Sequence, residues 1–284
     1  MTDEWLTVSL VEDIQRALMT GRNVEPVVAR VKYLTMPALV EYGCMRWVLG
    51  DRVVPPLPDS VLGSSLAAAL HEVRFPIGLR HTGLQKGTVA DIAVREEEFM
   101  VVGPLARLDD QEWQLFEARF NRSAQSGGLA KSRADMLQAA LHEMAENVVI
   151  HSQSKEGGLV GYRILSGAVQ FCVADVGVGV RASLRTNKAY EGIKTDKDAI
   201  REALKDGVTR FSKGYGGLGF RQVFKSLAAE WGLLRFRSGH GCIMMDGRDL
   251  AADRGKEYFP PNLPGFQVSV VCHSPSSRCF APLF

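Results

Sequence analysis

The sequence predicts a mixed α/β chain in two parts: a two-layer α/β sandwich over residues 126–284, preceded by a smaller α/β domain over residues 1–125. Three observations carry this prediction. An apolar helical stripe at 136–148 is followed by two β runs, 159–165 and 168–174. Further strand-like segments at 233–237, 241–245 and 267–272 close the chain after more helical stretches. A polar, small-residue stretch at 121–132, NRSAQSGGLAKS, separates this pattern from what precedes it. Helices and mostly non-parallel strands in this order suggest a two-layer sandwich.

In the first part, short apolar runs such as 27–31 alternate with helix-like stretches at 36–49 and 61–73, separated by the Pro55, Pro56 and Pro58 cluster. An apolar piece at 99–105 and an amphipathic stretch at 111–120 lead to the boundary. Beyond it, Ser132 followed by Asp135 is a capping-box-like helix start. The helix runs to about residue 150, with Met136, Leu137, Ala140, Leu141, Met144, Ala145 and Val148 as its buried stripe. Ser166 and Gly167 join the two β runs as a hairpin. Thr195 caps a second helix, in which Ile200, Ala203 and Leu204 share a face and which ends at Gly207. Gly219 opens a third, through Phe220, Val223, Phe224 and Leu227.

The 284 residues are 46% hydrophobic, which excludes disorder as a whole-chain description. A formal charge of +2 argues against a dedicated nucleic-acid or membrane-surface binder. No run approaches the ~20 apolar residues that span a bilayer, and the acidic, amphipathic start lacks the features of a signal peptide, so a cytoplasmic location is expected. Five cysteines, Cys44, Cys172, Cys242, Cys272 and Cys279, include no C-x-x-C pair and read as reduced thiols.

Three elements carry chemistry. Glu143 and Asn147 lie four residues apart on the first helix, at the edge of its apolar stripe. Asp175-Val176-Gly177-Val178-Gly179 follows directly on a strand, where a carboxylate can accept from a ligand while glycines let the backbone turn closely. Gly214-Tyr215-Gly216-Gly217-Leu218-Gly219-Phe220 places four glycines immediately before a helix, where exposed N–H groups favour phosphate. No Lys followed by Ser or Thr closes that loop, which excludes a P-loop, and no buried parallel strand leads into it, which excludes a dinucleotide-binding fold.

In this order the three elements resemble the ATP-binding domain of the GHKL superfamily, which joins gyrase, the heat-shock chaperone, histidine kinases and the mismatch-repair ATPase. The matching segments are LHEMAENVVIHS, DVGVGV and GYGGLGF, and the resemblance covers about half the chain, residues 132–272. The E-x-x-x-N-x-x-x-H form, Glu143, Asn147 and His151, is most similar to the anti-sigma-factor serine kinases. The resemblance implies a Bergerat-type fold with ATP and Mg²⁺ as cofactors. It implies that Asn147 ligates Mg²⁺, that Asp175 accepts from the adenine amino group with Gly177 and Gly179 admitting the base, and that Glu143 is the general base. Gly214, Gly216, Gly217, Leu218 and Gly219 would form the phosphate-binding lid loop.

Residues 181–213 hold nine Lys and Arg against five Asp and Glu, so the expected lid is basic. Arg210 and Lys213, directly before the glycine loop, are candidates for γ-phosphate contacts. The last strand opens Pro264-Gly265-Phe266, whereas relatives often have Thr or Ser after that Gly, which puts a water-bridged adenine contact in question. His151, four residues past Asn147, reads either as a contact to nucleotide or to a group that touches it, or as a polar helix terminus, and His142, on the side away from Glu143, has no assigned role.

The N-terminal part resembles STAS-like domains, the anti-sigma-antagonist fold that some bacterial ATP-binding proteins carry, with an unrelated α/β adaptor as the alternative. The expected function is that of an Mg²⁺-dependent ATP-binding regulatory protein, either an ATPase or a serine/threonine-type protein kinase acting on a protein partner. A homodimer is an open assembly. Two alternatives remain: a nucleotide-dependent binding module without catalysis, and a histidine kinase using His71, whose segment His71-Glu72-Val73-Arg74-Phe75-Pro76 has the H-E-x-R-x-P phosphoacceptor form. Gly78, Gly83 and Gly87 then oppose the long dimerisation helix that a histidine kinase needs.

Overall fold

The computed structural model describes residues 5–58, 98–102, 105, 110–154, 157–165, 167–205, 232–246 and 256–273. A short parallel pair opens the chain, β1 (Trp5–Leu6) and β2 (Tyr33–Leu34), with the Trp5 and Tyr33 rings stacked at 5.0 Å. Between and after these strands lie α1 (Val8–Met19), α2 (Glu25–Val28) and α3 (Met36–Leu49). Thr7 caps α1 by accepting from Leu10 N at 3.3 Å, and Thr35 caps α3, whose first turn carries Pro37 where a missing N–H costs nothing. The apolar run at 27–31 is not a strand: Pro26 in a first-turn position starts the single turn α2 there.

The rest forms one sheet: β3 (Glu98–Val102), β4 (Gly158–Leu165), β5 (Ala168–Asp175), β6 (Leu233–Gly239), β7 (Gly241–Asp246), β8 (Lys256–Tyr258) and β9 (Leu263–His273). Its seven strands are ordered β3-β4-β5-β9-β6-β7-β8, with every neighbouring pair antiparallel. The β4–β5 hairpin pairs Leu165 with Ala168, and Gly167 takes the positive φ of 76° that the tight turn requires. The remaining described helices are α4 (Asp110–Ser126), α5 (Lys131–His151), α6 (Gly179–Arg185) and α7 (Asp196–Ala203), with a 3-10 turn at Lys188–Tyr190.

Alternate residues of a strand face opposite sides of a sheet, so core membership shows what covers each face. Val169, Phe171 and Val173 of β5 pack with Phe116 and Phe120 of α4, Leu137, Leu141 and Met144 of α5, and Ile200 of α7. The Phe120 ring meets Tyr162 at 5.3 Å and Phe171 edge-on at 5.8 Å, a geometry worth about 0.5–1.5 kcal/mol per pair beyond burial. Cys172 and Ala174, the intervening residues, pack instead with Leu6, Val11, Ile14, Leu39 and Met45 from the N-terminal helices.

Within residues 126–284 the helices packed on the sheet lie on one face, and the N-terminal α1 and α3 cover the other face as a third layer. The polar side chains on that face explain why. Arg235 and Arg237 of β6 are fully buried, and their charges are met by Glu41 of α3 and Glu12 of α1. Glu41 accepts from Nη1 of both arginines, and Glu12 Oε1 lies 2.7 Å from Arg235 Nη2.

Packing also does not change at the expected boundary near residue 125. Strand β3 pairs with β4, and α4 contributes Phe116, Phe120 and Ala124 to the same core as α5. The Ser132–Asp135 cap does not form either. The N-cap is Ala130, without a side-chain bond, while Asp135 accepts from Lys131 Nζ at 2.7 Å and from Asn121 Nδ2 at 2.9 Å. Thr195 does cap α7, accepting from Asp198 N at 3.1 Å, but the helix ends at Ala203, before Gly207. The helix expected at 61–73 and the one opened by Gly219 lie outside the described residues.

Candidate functional site

Glu143, Asn147 and His151 lie along α5 as the sequence places them, the first two half-buried beside the fully buried Met144 and Val148. Asn147 Nδ2 donates to the Glu143 carbonyl at 2.8 Å, which holds the amide along the helix and turns its Oδ1 to the outside of that bond. The helix stops at Ser152, whose N–H reaches Val148 O. The Ser152 carbonyl then accepts from Val178 N at 2.9 Å, so the end of α5 is tied to the glycine turn after β5. The approach is close: a Cβ on Gly177 would sit 2.0 Å from the Ser152 carbonyl oxygen. Asn147 is five residues before Ser152, about 7.5 Å along the axis.

Asp175 ends β5, paired with Gly158 on one side and Phe266 on the other, and is 2% exposed. Its Oδ1 accepts from Gly177 N at 2.7 Å. Burial raises the carboxyl to about 7, against the opposing effect of the Gly177 N–H. Gly179, with φ 75°, opens α6, and the next N–H, of Val180, donates to Ser238 Oγ at 3.0 Å. Ser238 in turn donates to the Gly265 carbonyl at 2.7 Å. Gly265, with φ 84°, lies so close that a Cβ there would be 2.1 Å from the Asp175 carbonyl oxygen.

The structure thus brings Asp175, Gly177 and Gly179 together with the C-terminal end of α5, the helix that carries Glu143 and Asn147. Val149, Ile150 and Val178 remain exposed at this junction and give it an apolar rim. The other expected site residues, Arg210, Lys213, Gly214, Gly216, Gly217, Leu218 and Gly219, lie outside the described residues, as does His71. Among the described residues no group of three or more His, Cys, Asp or Glu side chains is arranged to hold a metal ion.

Sequence reasoning missed Ser238 and Gln267. Gln267 is fully buried, and its Nε2 donates to the Asp175 carbonyl at 3.1 Å and to Pro264 O at 3.0 Å. An amide inside the largely apolar run FQVSVVC was the available signal. His142, left without a role, is a packing contact between helices: its Nδ1 lies 2.7 Å from Glu117 Oε1 and 3.1 Å from Trp113 Nε1 of α4. Burial, before any effect of His142, raises the Glu117 carboxyl.

The four described cysteines are buried free thiols. No described helix is long and apolar enough to cross a membrane. Compared with models of known protein families, with curated proteins and with solved structures, the chain matches none.

Proposed function

We propose that the chain is an Mg²⁺-dependent ATP-binding regulatory protein with a Bergerat-type nucleotide site, acting as an ATPase or as a serine/threonine-type kinase on a protein partner. The observation that carries this reading is Asp175: a buried carboxyl at a strand end, walled by Gly177 and Gly265 and reached by the end of α5. Oδ1 is held by the Gly177 N–H, which leaves Oδ2 to accept from an exocyclic amine. An adenine offers that donor on its edge, and a guanine offers a carbonyl oxygen in the same place, so this carboxylate favours the first and repels the second.

The donor set on α5 fits the cation. With its Nδ2 engaged by the helix, Asn147 presents an amide oxygen, the hard donor that Mg²⁺ prefers. Bound there, Mg²⁺ would neutralise charge on the phosphates. Glu143, one helical turn before Asn147, would take the proton from an attacking water or hydroxyl. The exposed Val149, Ile150 and Val178 supply apolar contact for a flat base.

The test is calorimetric titration of the full chain with Mg-ATP and Mg-GTP, alongside γ-labelled ATP turnover. ATP is expected to bind and GTP not to, and Asp175→Asn is expected to weaken ATP by at least about tenfold, roughly 1.4 kcal/mol. Asp175→Asn binding ATP like wild type would remove the adenine assignment. Binding without release or transfer of phosphate, alone or with any partner, would favour the binding module over the enzyme.

A further inference from the structure

Residues 261–265 run behind Asp175, and four of their carbonyls are held by side chains from three different elements. Arg237 Nη2 of β6 donates to Pro261 O at 2.6 Å, and Gln15 Nε2 of α1 donates to Asn262 O at 2.6 Å. Gln267 Nε2 donates to Pro264 O at 3.0 Å, and Ser238 Oγ to Gly265 O at 2.7 Å. Leu263, between them, is 1% exposed in the core beneath α1 and α3. Gly265 is pressed against the carboxyl, with a built Cβ falling 2.7 Å from Asp175 Oδ1.

Gln267 is the member of this set that touches both sides, since the same Nε2 also donates to the Asp175 carbonyl at 3.1 Å. Its Oε1 is buried and accepts from no described residue. A buried acceptor left unpaired is a penalty that leucine, of similar volume, would avoid. What the amide supplies in place of leucine is the two bonds that its nitrogen makes.

We propose that Gln267 is a positioning residue for Asp175, fixing residues 261–265 as a rigid wall behind its carboxyl, with the N-terminal layer holding the far end of that wall through Gln15. The use of this wall in adenine recognition rests on the function proposed above, whereas the positioning itself does not. Among the described residues, Cys44 of α3 interacts electrostatically with Asp175: burial raises its thiol, with Cys172 and Asp175 adding to the effect and the charged Arg237, which also holds Pro261 O, opposing it. That thiol stays neutral near pH 7, so a change in the Asp175 titration reports on the wall.

The test follows the Asp175 carboxyl by carbon NMR titration of the full chain labelled at aspartate, without nucleotide. Gln267→Leu is expected to lower its midpoint by roughly one pH unit, because a released wall admits water to the charged form. Gln170→Leu is the control: Gln170 is also buried on this face, accepting from Met36 N at 3.4 Å, and its loss is expected to leave the midpoint in place. An unchanged midpoint in Gln267→Leu, or an equal shift in both variants, overturns the proposal. If Gln267→Leu does not fold, Gln267→Asn, too short to span both carbonyls, gives the same reading. If neither folds, the residue is structural and the proposal fails. A shifted midpoint in a protein that binds no ATP would keep the positioning role and discard the nucleotide reading.

Discussion

At Asp175, burial lifts the carboxyl from its ordinary 3.8 to about 7, with the Gly177 N–H opposing the rise. The folded-state value lies above the unfolded one, so the native chain keeps a proton that the unfolded chain releases between about pH 4 and pH 7. The stability this group allows is present in full below about pH 4 and falls as pH rises to about 7, by about 4 kcal/mol at most. Asp175→Asn removes the charge while retaining a polar amide, and it is expected to raise the thermal midpoint at about pH 8 and to change it little at about pH 4. Melting curves of both proteins across that range check this, and equal effects at the two ends would show that another group titrates. A buried carboxyl that lowers stability at neutral pH, set between two glycines, is what the nucleotide site proposed above requires. Asp175, Gly177 and Gly179 were legible because they are contiguous and follow a recognisable strand. Ser238 and Gln267 were not, because they reach Asp175 only through the pairing of β9 with β5 and β6.

Elements show the same division between local and long-range information. The β4–β5 hairpin, the apolar stripe of α5 and the Thr195 cap are written within a few residues of themselves, and the structure has all three. Strand β8, three half-exposed or exposed residues at the sheet edge, has no hydrophobic pattern to betray it. The role of α3 was also hidden, since a helix buried around most of its circumference gives no amphipathic direction. What directs it is Glu41, which joins two arginines of β6 that are distant in sequence. Burial, then the neighbouring Arg235, pulls the Arg237 guanidinium down to about 10, so it remains charged at neutral pH and needs that carboxylate. Glu41→Gln would leave buried positive charge uncompensated, and a loss of about 3–5 kcal/mol is expected from denaturant unfolding. Replacing Glu12, Glu41, Arg235 and Arg237 together by apolar residues of similar size is expected to recover most of that loss, because the penalty lies in the unpaired charge and no member of the buried network is then left alone. A Glu41→Gln protein as stable as wild type would mean that the α3–β6 contact is held by its apolar neighbours alone.

Over the whole molecule, the sheet depends on both of its helical layers, which sets an expectation for fragments. A chain of residues 126–284 would lack β3, leaving β4 as an open edge, and would lack α4, exposing Tyr162 and Phe171 where Phe116 and Phe120 now pack. It would also lose α1 and α3, uncovering Cys172, Ala174 and Leu263 and leaving Arg235 and Arg237 without Glu12 and Glu41. An apolar surface and two unpaired guanidinium groups on one face are incompatible with a stable sheet in water. The fragment is therefore expected to be soluble only as an unfolded or aggregated species, with collapsed amide dispersion in proton–nitrogen NMR and no near-ultraviolet circular dichroism. Adding residues 1–58 in trans to a fragment starting at residue 98 is expected to restore both signals, because the two pieces together carry every described strand and helix. Should residues 126–284 alone give a dispersed spectrum and melt at the temperature of the full chain, the sheet would be self-sufficient. The N-terminal layer would then be an appended domain, free to exchange its contacts on the Arg235–Arg237 face for those of a partner.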